Sequence, residues 1–458
     1  DDVIEEVTVT GSYIKGSATD APSPVAVHSR EDMTMAKPIL MSDIVKNLGI
    51  NSGSTTNANT DSENGSIVGK GNVNLRGLGV NSTLILVNGK RMTAAAARTG
   101  RGETFTDINE IPVIMMERTE ILKDGGSALY GSDAVAGVIN IITRDNFEGV
   151  EINVGYSNTA DSDMGTQRYS ITGGTVSENG NAWINVDYMQ RNSLQHDDRD
   201  YAASANQGPA GGYDFRSSSG NPGSIKILPG SENGFESGFY QVPAGSTGTP
   251  TAEEIISAPG INRFDYNPWM TLTPEYERYG ASSRINYNVT DYATAFVQTT
   301  YRNIKVHQEM APTPAFGDLN ADTWGILPAS NAFNPFGEDT TFRHRLIEMG
   351  PRLFDIESDI FRILPGVKFD IGDSWQAETA FLYNKIETIN FGQNAVSSDA
   401  LTDALASSDP ATAYNLFGAG LGINSPSVLD ALRVNTVRRA ESELRMFDVK
   451  AAGDIFEL

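Results

Sequence analysis

The sequence contains no cysteine, only four histidines, and few basic residues for its length. Its 458 residues include 34 Lys and Arg against 58 Asp and Glu, so the formal net charge is −24. Without cysteine there can be no disulfide, thiolate metal site, iron–sulfur cluster or cysteine catalysis. The excess of acid argues against a nucleic-acid-binding protein and against a protein held on an anionic membrane leaflet, because both need a basic face.

Long apolar runs are also missing. The longest covers about residues 138–142, whereas a membrane-spanning helix needs about 20 apolar residues. A transmembrane helix is therefore excluded, but membrane-spanning strands are not, since their apolarity only alternates. The chain starts without Met and without a charged-then-apolar leader, so we expect any signal peptide to be absent or already removed.

Residues typical of catalytic and metal sites form no recognisable pattern. The four histidines (His28, His196, His307 and His344) show neither HExxH spacing nor a nearby set of metal ligands. The glycines between 125 and 137 fit neither common phosphate-binding loop, and no GxSxG or SxxK nucleophile motif is present. We predict that the protein is not an enzyme and uses no metal or cofactor.

The first third of the chain has a sequence pattern that predicts both helices and strands. Residues 1–24 are polar and rich in Gly and Pro, and are predicted to be a flexible arm. Residues 25–147 are predicted to be a compact unit. Its elements are a strand at 25–28, a helix opened by Ser42, a hairpin turning at Asn88-Gly89, a strand at 117–123, a turn of helix within 124–131 and a strand at 138–143.

From residue 148 to 458 the apolar residues recur with a period of two, which predicts strands with one apolar and one polar face. Short turns alternate with long connections at about 191–275, 304–352 and 389–440, a pattern typical of an outer-membrane barrel. A water-soluble β-sandwich also alternates, but its connections are usually about 4–6 residues long. Eight strands are predicted, at 150–158, 166–174, 181–190, 276–289, 291–303, 358–371, 374–389 and 441–452.

Three motifs, in order along the chain, resemble the plug domain of TonB-dependent outer-membrane transporters. Residues 4–11 (IEEVTVTG) resemble the TonB box, although such Val/Thr-rich segments are common. Residues 74–79 (NLRGLG) with 83–91 (TLILVNGKR) resemble the central plug motif. Residues 117–131 (ERTEILKDGGSALYG) and 133–144 (DAVAGVINIITR) resemble the closing motif.

The resemblance implies an α+β plug domain followed by a transmembrane antiparallel β-barrel. Transporters of this family close a barrel of about 22 strands around the plug, so we expect the chain to hold only about eight of them and the others to follow residue 458. An open sheet in lipid would leave unpaired edges, and an eight-stranded barrel has no room for a plug.

The resemblance also implies the roles of particular residues. The TonB-box residues Ile4, Glu5, Glu6, Val7, Thr8 and Val9 would bind TonB by strand addition in the periplasm. In the family, arginines and glutamates of the two plug motifs help to lock the plug to the barrel. Arg76 and Arg118 are the matching positions, and Glu117 and Arg144 are further candidates. The alternative is that these charges form ordinary surface pairs worth roughly 0–1 kcal/mol each.

Solute-binding residues are expected on plug tips and outward loops. Arg98 and Arg101 lie in a predicted tip, and the long loops carry aromatic residues beside polar ones, which suits sugar or peptide ligands. These aromatics could instead pack the loops together or form interfacial girdles. The loop candidates are Tyr213, Phe215, Tyr240, Trp269 and Trp324.

The predicted function is energy-coupled import of a scarce solute across the bacterial outer membrane, with the N-terminal arm in the periplasm. The expected partners are TonB with its energising inner-membrane complex, outer-membrane lipid and an extracellular solute. Siderophore, cobalamin, oligosaccharide and peptide all remain open as the solute. The alternatives are a surface receptor or adhesion protein that does not transport, and a soluble β-rich polysaccharide-binding protein.

Overall fold

The computed structural model describes residues 7–8, 10, 15–16, 25–35, 38–54, 67–124, 126–317, 325–372 and 374–453. The candidates Ile4, Glu5, Glu6, Val9 and Trp324 lie outside these ranges. The N-terminal elements are β1 Val7–Thr8, β2 Lys15–Gly16, β3 Val25–Ser29, α1 Arg30–Thr34, α2 Met41–Lys46, β4 Thr83–Val87, β5 Lys90–Arg91, β6 Met116–Leu122, α3 Ser127–Tyr130 and β7 Gly137–Thr143.

Strands β3 to β7 form a five-stranded sheet, hereafter the plug. Its order is β3-β6-β7-β4-β5, and β4 and β7 are parallel while the other neighbours are antiparallel. Helix α2 buries Met41, Ile44 and Val45 in the same core as strand residues such as Ile85 and Ile139. The plug is thus a small α+β unit with its own hydrophobic core.

The hairpin turn between β4 and β5 has the predicted geometry. Asn88 and Gly89 have φ angles of 53° and 75°, and a type I′ turn needs positive φ at both central residues. The Asn88 side chain also donates to Thr143 Oγ1 at 2.8 Å, which ties the turn to β7. This turn therefore fixes where the first residue of β5, Lys90, points.

The C-terminal two thirds of the chain is dominated by strands. In chain order these are β8 Gly149–Ser157, β9 Thr166–Ser177, β10 Gly180–Arg191, β11 Leu194–Gln195, β12 Ser224–Ile227, β13 Gly238–Gln241, β14 Thr271–Thr273, β15 Glu275–Thr290, β16 Ala293–Met310, β17 Pro314–Phe316, β18 Thr341–Arg345, β19 Arg352–Ile371, β20 Trp375–Val396 and β21 Arg433–Ala452. Three further helices are α4 Ala252–Ile256, α5 Ser398–Ala406 and α6 Pro426–Leu432.

Eight of these strands form one antiparallel sheet, hereafter the wall. Its order is β21-β20-β19-β16-β15-β10-β9-β8, so the eight predicted strands are confirmed. Several are longer than predicted, and the last begins at Arg433 rather than 441. Within the described residues, the outermost strands β8 and β21 each pair with a single neighbour.

The outer face of the wall is apolar and exposed. Val150, Ile152 and Val154 on β8 are 71%, 67% and 73% exposed, which is unusual for aliphatic side chains in a water-soluble protein. On β15 the outward Tyr279 and Tyr287 lie eight positions apart, roughly 27 Å along a strand. That spacing matches an apolar band of about 25 Å between two aromatic girdles. The predicted fold class, a plug followed by strands of a transmembrane barrel, is confirmed.

The long connections pack together and share a hydrophobic core. Strands β13-β12-β18-β17 form a four-stranded sheet, and helices α5 and α6 pack against it. Ile227, Phe342, Leu401 and Phe417 from the three long connections are all 1% exposed or less. Each connection alone supplies too few apolar residues to form a core, so the sequence pattern of any one of them did not predict this layer.

Among the described residues, no helix is long and apolar enough to cross a membrane. The described residues also contain no cluster of three or more His, Asp or Glu side chains that could hold a metal ion.

Candidate functional site

The plug lies against the inner face of the wall and contacts it along most of its width. Polar contacts join the plug to strands from one side of the sheet to the other. They are Arg168 Nη1 to the Pro38 carbonyl at 3.1 Å, Arg278 Nη1 to the Asn109 carbonyl at 3.3 Å, Asn88 Nδ2 to Gln298 Oε1 at 3.0 Å, Thr93 N–H to Asn384 Oδ1 at 3.1 Å, and Thr93 Oγ1 to Ser442 Oγ at 2.9 Å. The interface also contains an apolar cluster, in which Leu40, Val68 and Ala96 of the plug pack with wall residues such as Ile304 and Val306.

Lys90 makes two short ion pairs across the interface. Its ammonium nitrogen lies 2.7 Å from Glu378 Oε1 on β20 and 2.6 Å from Asp448 Oδ1 on β21. Glu378 is also 3.4 Å from Lys450. The Lys90 side chain is only 5% exposed, so its two carboxylate partners substitute for water. Sequence reasoning missed this residue, because neither wall carboxylate belongs to a motif.

The four predicted lock residues differ in what they contact. Arg76 Nη2 lies 3.4 Å from Asp124 Oδ1 and reaches carbonyl oxygens of the plug itself. Glu117 and Arg118 are 3.9 Å apart within β6. The structure thus keeps these three side chains within the plug.

Arg144 is the predicted lock residue that reaches the wall. Its Nη1 donates to Glu151 Oε2 on β8 at 2.8 Å. Arg30 of α1 lies 3.8 Å from the other oxygen of the same carboxylate. Whether any of the four residues acts as a lock stays a prediction.

A buried carboxyl pair lies on the side of the plug that faces the wall. Asp107 accepts hydrogen bonds from the N–H groups of Gly71 and Asn109 and lies 3.9 Å from the Lys70 ammonium. Neither carboxyl oxygen of Glu110 has a hydrogen-bond partner. Burial, together with the negative charge of Asp107, raises the pKa of Glu110 well above its ordinary value. This environment therefore favours the neutral form of Glu110.

A small cavity separates Glu110 from the wall. Its volume is about 50 Å³, enough for a few water molecules. The wall contributes Trp183, Arg284, Arg362 and Asn384 to its lining. The Nε and Nη2 atoms of Arg362 and the indole nitrogen of Trp183 are buried without a hydrogen-bond partner, so polar groups from both sides face this space.

The N-terminal arm is anchored to the plug through Thr10. Its N–H and hydroxyl both donate to Glu120 Oε2, at 3.0 and 2.6 Å, and its hydroxyl accepts from Asn140 Nδ2 at 3.0 Å. Thr10 and Glu120 are 4% and 2% exposed, and Arg118 Nε donates to the second oxygen of Glu120. Sequence reasoning missed this anchor, because Thr10 was considered only as part of the arm.

The backbone of the predicted TonB box is partly paired within the arm. Of the box residues, the structure describes Val7 and Thr8, which pair in antiparallel register with Gly16 and Lys15. One hydrogen-bonding edge of the box is therefore occupied. An extended segment of this kind is suited to strand addition once an edge is free.

The predicted solute-binding residues fall into two groups. Arg98 and Arg101 on the plug are exposed, and so are Tyr213 and Phe215, at 80% and 60%. The last two rings form an edge-to-face pair with centroids 6.2 Å apart. Binding by these four residues stays a prediction.

The other two described aromatic candidates pack inside the loop layer. Tyr240 is 9% exposed and belongs to the shared loop core. Trp269 is half-buried and its ring centroid lies 6.1 Å from that of Phe264. Both rings pack against neighbouring loop residues, which was the alternative considered for such aromatics. Solute binding by Tyr240 and Trp269 stays a prediction.

Comparison with known proteins follows the same division of the chain. Residues 17–138 match the family model described as the TonB-dependent Receptor Plug Domain. The chain is 32% identical over 175 residues to an iron-regulated outer membrane virulence protein of Vibrio cholerae, a match that covers 37% of this chain and 25% of the relative. It is 33% identical over 179 residues to the vitamin B12 transporter BtuB of Vibrio vulnificus, covering 38% and 27%. The chain thus matches about a quarter of the length of these relatives.

Solved structures of receptors also resemble the chain in outline. The ferric preacinetobactin receptor BauA of Acinetobacter baumannii aligns with 98% of this chain and 61% of its own, at 12% identity and a TM-score of 0.44. The ferric enterobactin receptor PfeA of Pseudomonas aeruginosa aligns at a TM-score of 0.39 and 14% identity, over 80% of this chain and 50% of its own. On the family-model match and the plug motifs, residues 17–138 form a TonB-dependent receptor plug domain, and the wall of antiparallel strands follows it in the chain.

Proposed function

We propose that the protein imports a scarce solute across the bacterial outer membrane, with energy that TonB delivers to the N-terminal arm. The single observation that carries this proposal is the arm anchored at Thr10. A segment with box-like sequence is attached to Glu120 and Asn140, both on central strands of the plug. A pull on the arm would therefore act directly on β6 and β7.

The contacts between plug and wall support movement of the plug rather than permanent closure. Lys90, Thr93 and Arg144 make hydrogen bonds and ion pairs that water can replace when they separate. An apolar interface of the same extent would expose hydrophobic surface on opening, at about 25 cal/mol per Å². The polar part of the interface thus lowers the free-energy cost of rearranging the plug, while the apolar cluster around Leu40 and Val68 adds to that cost.

In the proposed sequence of events, the solute first binds to outward loops and plug tips. Arg98, Arg101, Tyr213 and Phe215 are the exposed candidates for that contact. Solute binding then frees the arm into the periplasm, where TonB pairs with residues 4–11 and pulls. The plug rearranges and the solute passes without chemical change.

A proline at position 7 tests this function. Val7→Pro removes a backbone N–H and prevents regular strand pairing, so energised uptake should be abolished while solute binding and folding persist. Asp2→Pro, outside the box, is the matched control and should transport normally. Uptake is measured as accumulation of labelled nutrient, with and without a protonophore, for whichever limiting nutrient a deletion strain fails to use. Normal energised uptake by Val7→Pro would contradict the role given to residues 4–11, whereas no uptake by the unchanged receptor would favour a receptor that does not transport.

A further inference from the structure

The inner face of the wall carries more deeply buried arginines than carboxylates, although Glu378 and Asp448 also lie on this face, where they pair with Lys90. Five arginines lie on the inner face at 6% exposure or less, while Asp187 is the one equally buried carboxylate among the described wall residues. The outward positions of the same strands instead carry exposed acids such as Glu275, Asp355 and Glu357. The net charge of −24 therefore does not describe the surface that faces the plug. The inward arginines are Arg191, Arg278, Arg284, Arg302 and Arg362.

Strand register brings the inward arginines into one continuous band. Arg302 on β16 lies directly opposite Gly280 on β15, and a Cβ at position 280 would collide with the Arg302 guanidinium. Glycine at this position therefore lets the arginine lie across the neighbouring strand. Arg362 on β19 lies opposite Thr300 and Asn384, which are short or neutral side chains. The positive band thus extends across β10, β15, β16 and β19.

Only part of this positive charge is neutralised by the protein. Asp187 lies 3.1 Å from Arg302 Nη2 and 3.5 Å from Arg278 Nε, so two arginines share one carboxylate. Arg284 forms an ion pair with Asp145. Within the described residues, neither Arg191 nor Arg362 has a carboxylate at ion-pairing distance. Arg191 donates a hydrogen bond to the Pro274 carbonyl and lies over the Tyr276 ring. The Nε and Nη2 atoms of Arg362 make no hydrogen bond.

Arg362 lines the cavity between plug and wall, where an opposing charge would be expected. Burial beside Asp107 raises the pKa of Glu110, the carboxyl that shares this cavity, and so disfavours its charged form as a partner for Arg362. A buried guanidinium without a counter-charge is costly to stability, so its presence needs another explanation. Rings of arginine or lysine are how pores select anions. Arg362 therefore presents a buried guanidinium to the cavity with two nitrogens unpaired among the described residues.

We infer that the solute that passes between the plug and this wall is an anion. We infer also that this solute contacts the guanidinium groups of Arg362 and Arg191 as it passes. This inference rests on the proposed import function and names the class of solute. Carboxylate and phosphate oxygens fit a guanidinium with two parallel hydrogen bonds. A neutral sugar would gain little from the band, and a cation would be repelled by it.

Ion selectivity of the open pore tests this inference with potassium chloride as the probe. The intact receptor is placed in a planar bilayer, the plug is unfolded with urea, and the reversal potential is read under a salt gradient. We expect chloride to be preferred over potassium. The double variant Arg362→Gln with Arg191→Gln should lower the chloride-to-potassium permeability ratio severalfold. Lys305→Gln, on the outer face beside Glu357, is the matched control and should leave the ratio unchanged.

A charge-conserving variant separates selectivity from folding. Arg362→Lys keeps the positive charge and should keep the ratio, even if it assembles less well. A pore that prefers potassium, or a ratio unchanged in the double glutamine variant, would overturn the inference. Because this measurement needs neither TonB nor the natural solute, its result is independent of whether the proposed import function holds.

Discussion

Lys90 of the plug and Asp448 of the wall are 358 positions apart in the sequence and 2.6 Å apart in the structure. The same ammonium contacts Glu378, so one plug cation is shared by two neighbouring wall strands. Because the residue follows directly on the Asn88-Gly89 turn, the geometry of that turn sets its direction. This contact joins plug to wall, whereas the pairs at Arg76 and Arg118 lie within the plug.

Removing the Lys90 charge should loosen the plug. Lys90→Met leaves two carboxylates facing each other at a buried site, and breaking a buried ion pair typically costs about 3 kcal/mol or more. The plug should then unfold at lower urea concentration, measured by the onset of bilayer conductance. Lys305→Met breaks a half-exposed outer pair with Glu357 at 3.6 Å and should change the onset little. Equal effects of the two variants would contradict the role given to Lys90.

Weakening the Thr10 anchor should make the arm available before solute binds. Thr10→Val keeps the side-chain shape but removes the hydroxyl bond to Glu120, and a hydrogen bond to a charged group is worth about 1.5–3 kcal/mol. A purified TonB C-terminal domain should bind this variant more tightly than the unchanged receptor in the absence of solute. Surface plasmon resonance measures the difference.

Two glutamates of strand β6 provide a matched pair for the same question. Glu120→Gln should act in the same direction as Thr10→Val, since Glu120 accepts both bonds from Thr10. Glu117→Gln should have little effect, because Glu117 is exposed and makes no contact with Thr10 among the described residues, where its ion pair is with Arg118 at 3.9 Å. If both glutamine variants bind TonB alike, the anchor does not control the arm.

The stability of the plug should fall as pH rises. Burial raises the pKa of Glu110 above its ordinary value of 4.5, so the folded plug keeps a proton that the unfolded chain has released. Stability from this group is therefore complete below about pH 4.5 and is lost as pH rises through the folded pKa. Urea resistance of the plug should be greater at about pH 5.5 than at about pH 8.

The variant Glu110→Gln assigns that pH dependence to one residue. Glutamine stays neutral, so the variant should gain urea resistance at about pH 8 and lose most of the difference between the two pH values. A variant that keeps the full difference would show that other groups, such as Asp107, are responsible.

Exposed and buried loop aromatics should behave differently when truncated. Tyr213→Ala and Phe215→Ala remove side chains that are 80% and 60% exposed, so neither variant should unfold the loops. Each should weaken solute binding by about tenfold, which corresponds to a lost contact of about 1.4 kcal/mol. Tyr240→Ala creates a hole in the loop core and should cost about 3 kcal/mol or more. Protease resistance of the loops, measured beside solute binding, separates the two effects. Unfolded loops in Tyr213→Ala would refute this division.

How far the sequence predicts the structure depends on the range of each interaction. The wall strands follow from alternation that is visible within ten residues, as at Val150, Ile152 and Val154, and the Asn88-Gly89 turn follows from two adjacent residues. The Lys90 ion pairs and the Thr10 anchor each join residues more than 100 positions apart in the sequence. The surroundings of Arg362 likewise depend on how distant strands pair. Such long-range pairings leave no local pattern, so the Lys90 contact and the inner positive band were found only in the structure.

Solute accumulation in cells with and without TonB tests the central claim most directly. The claim is that energy reaches the plug through residues 4–11, so cells that carry the receptor but lack TonB should bind labelled solute at the surface and accumulate none. Equal accumulation in the two strains would contradict the account.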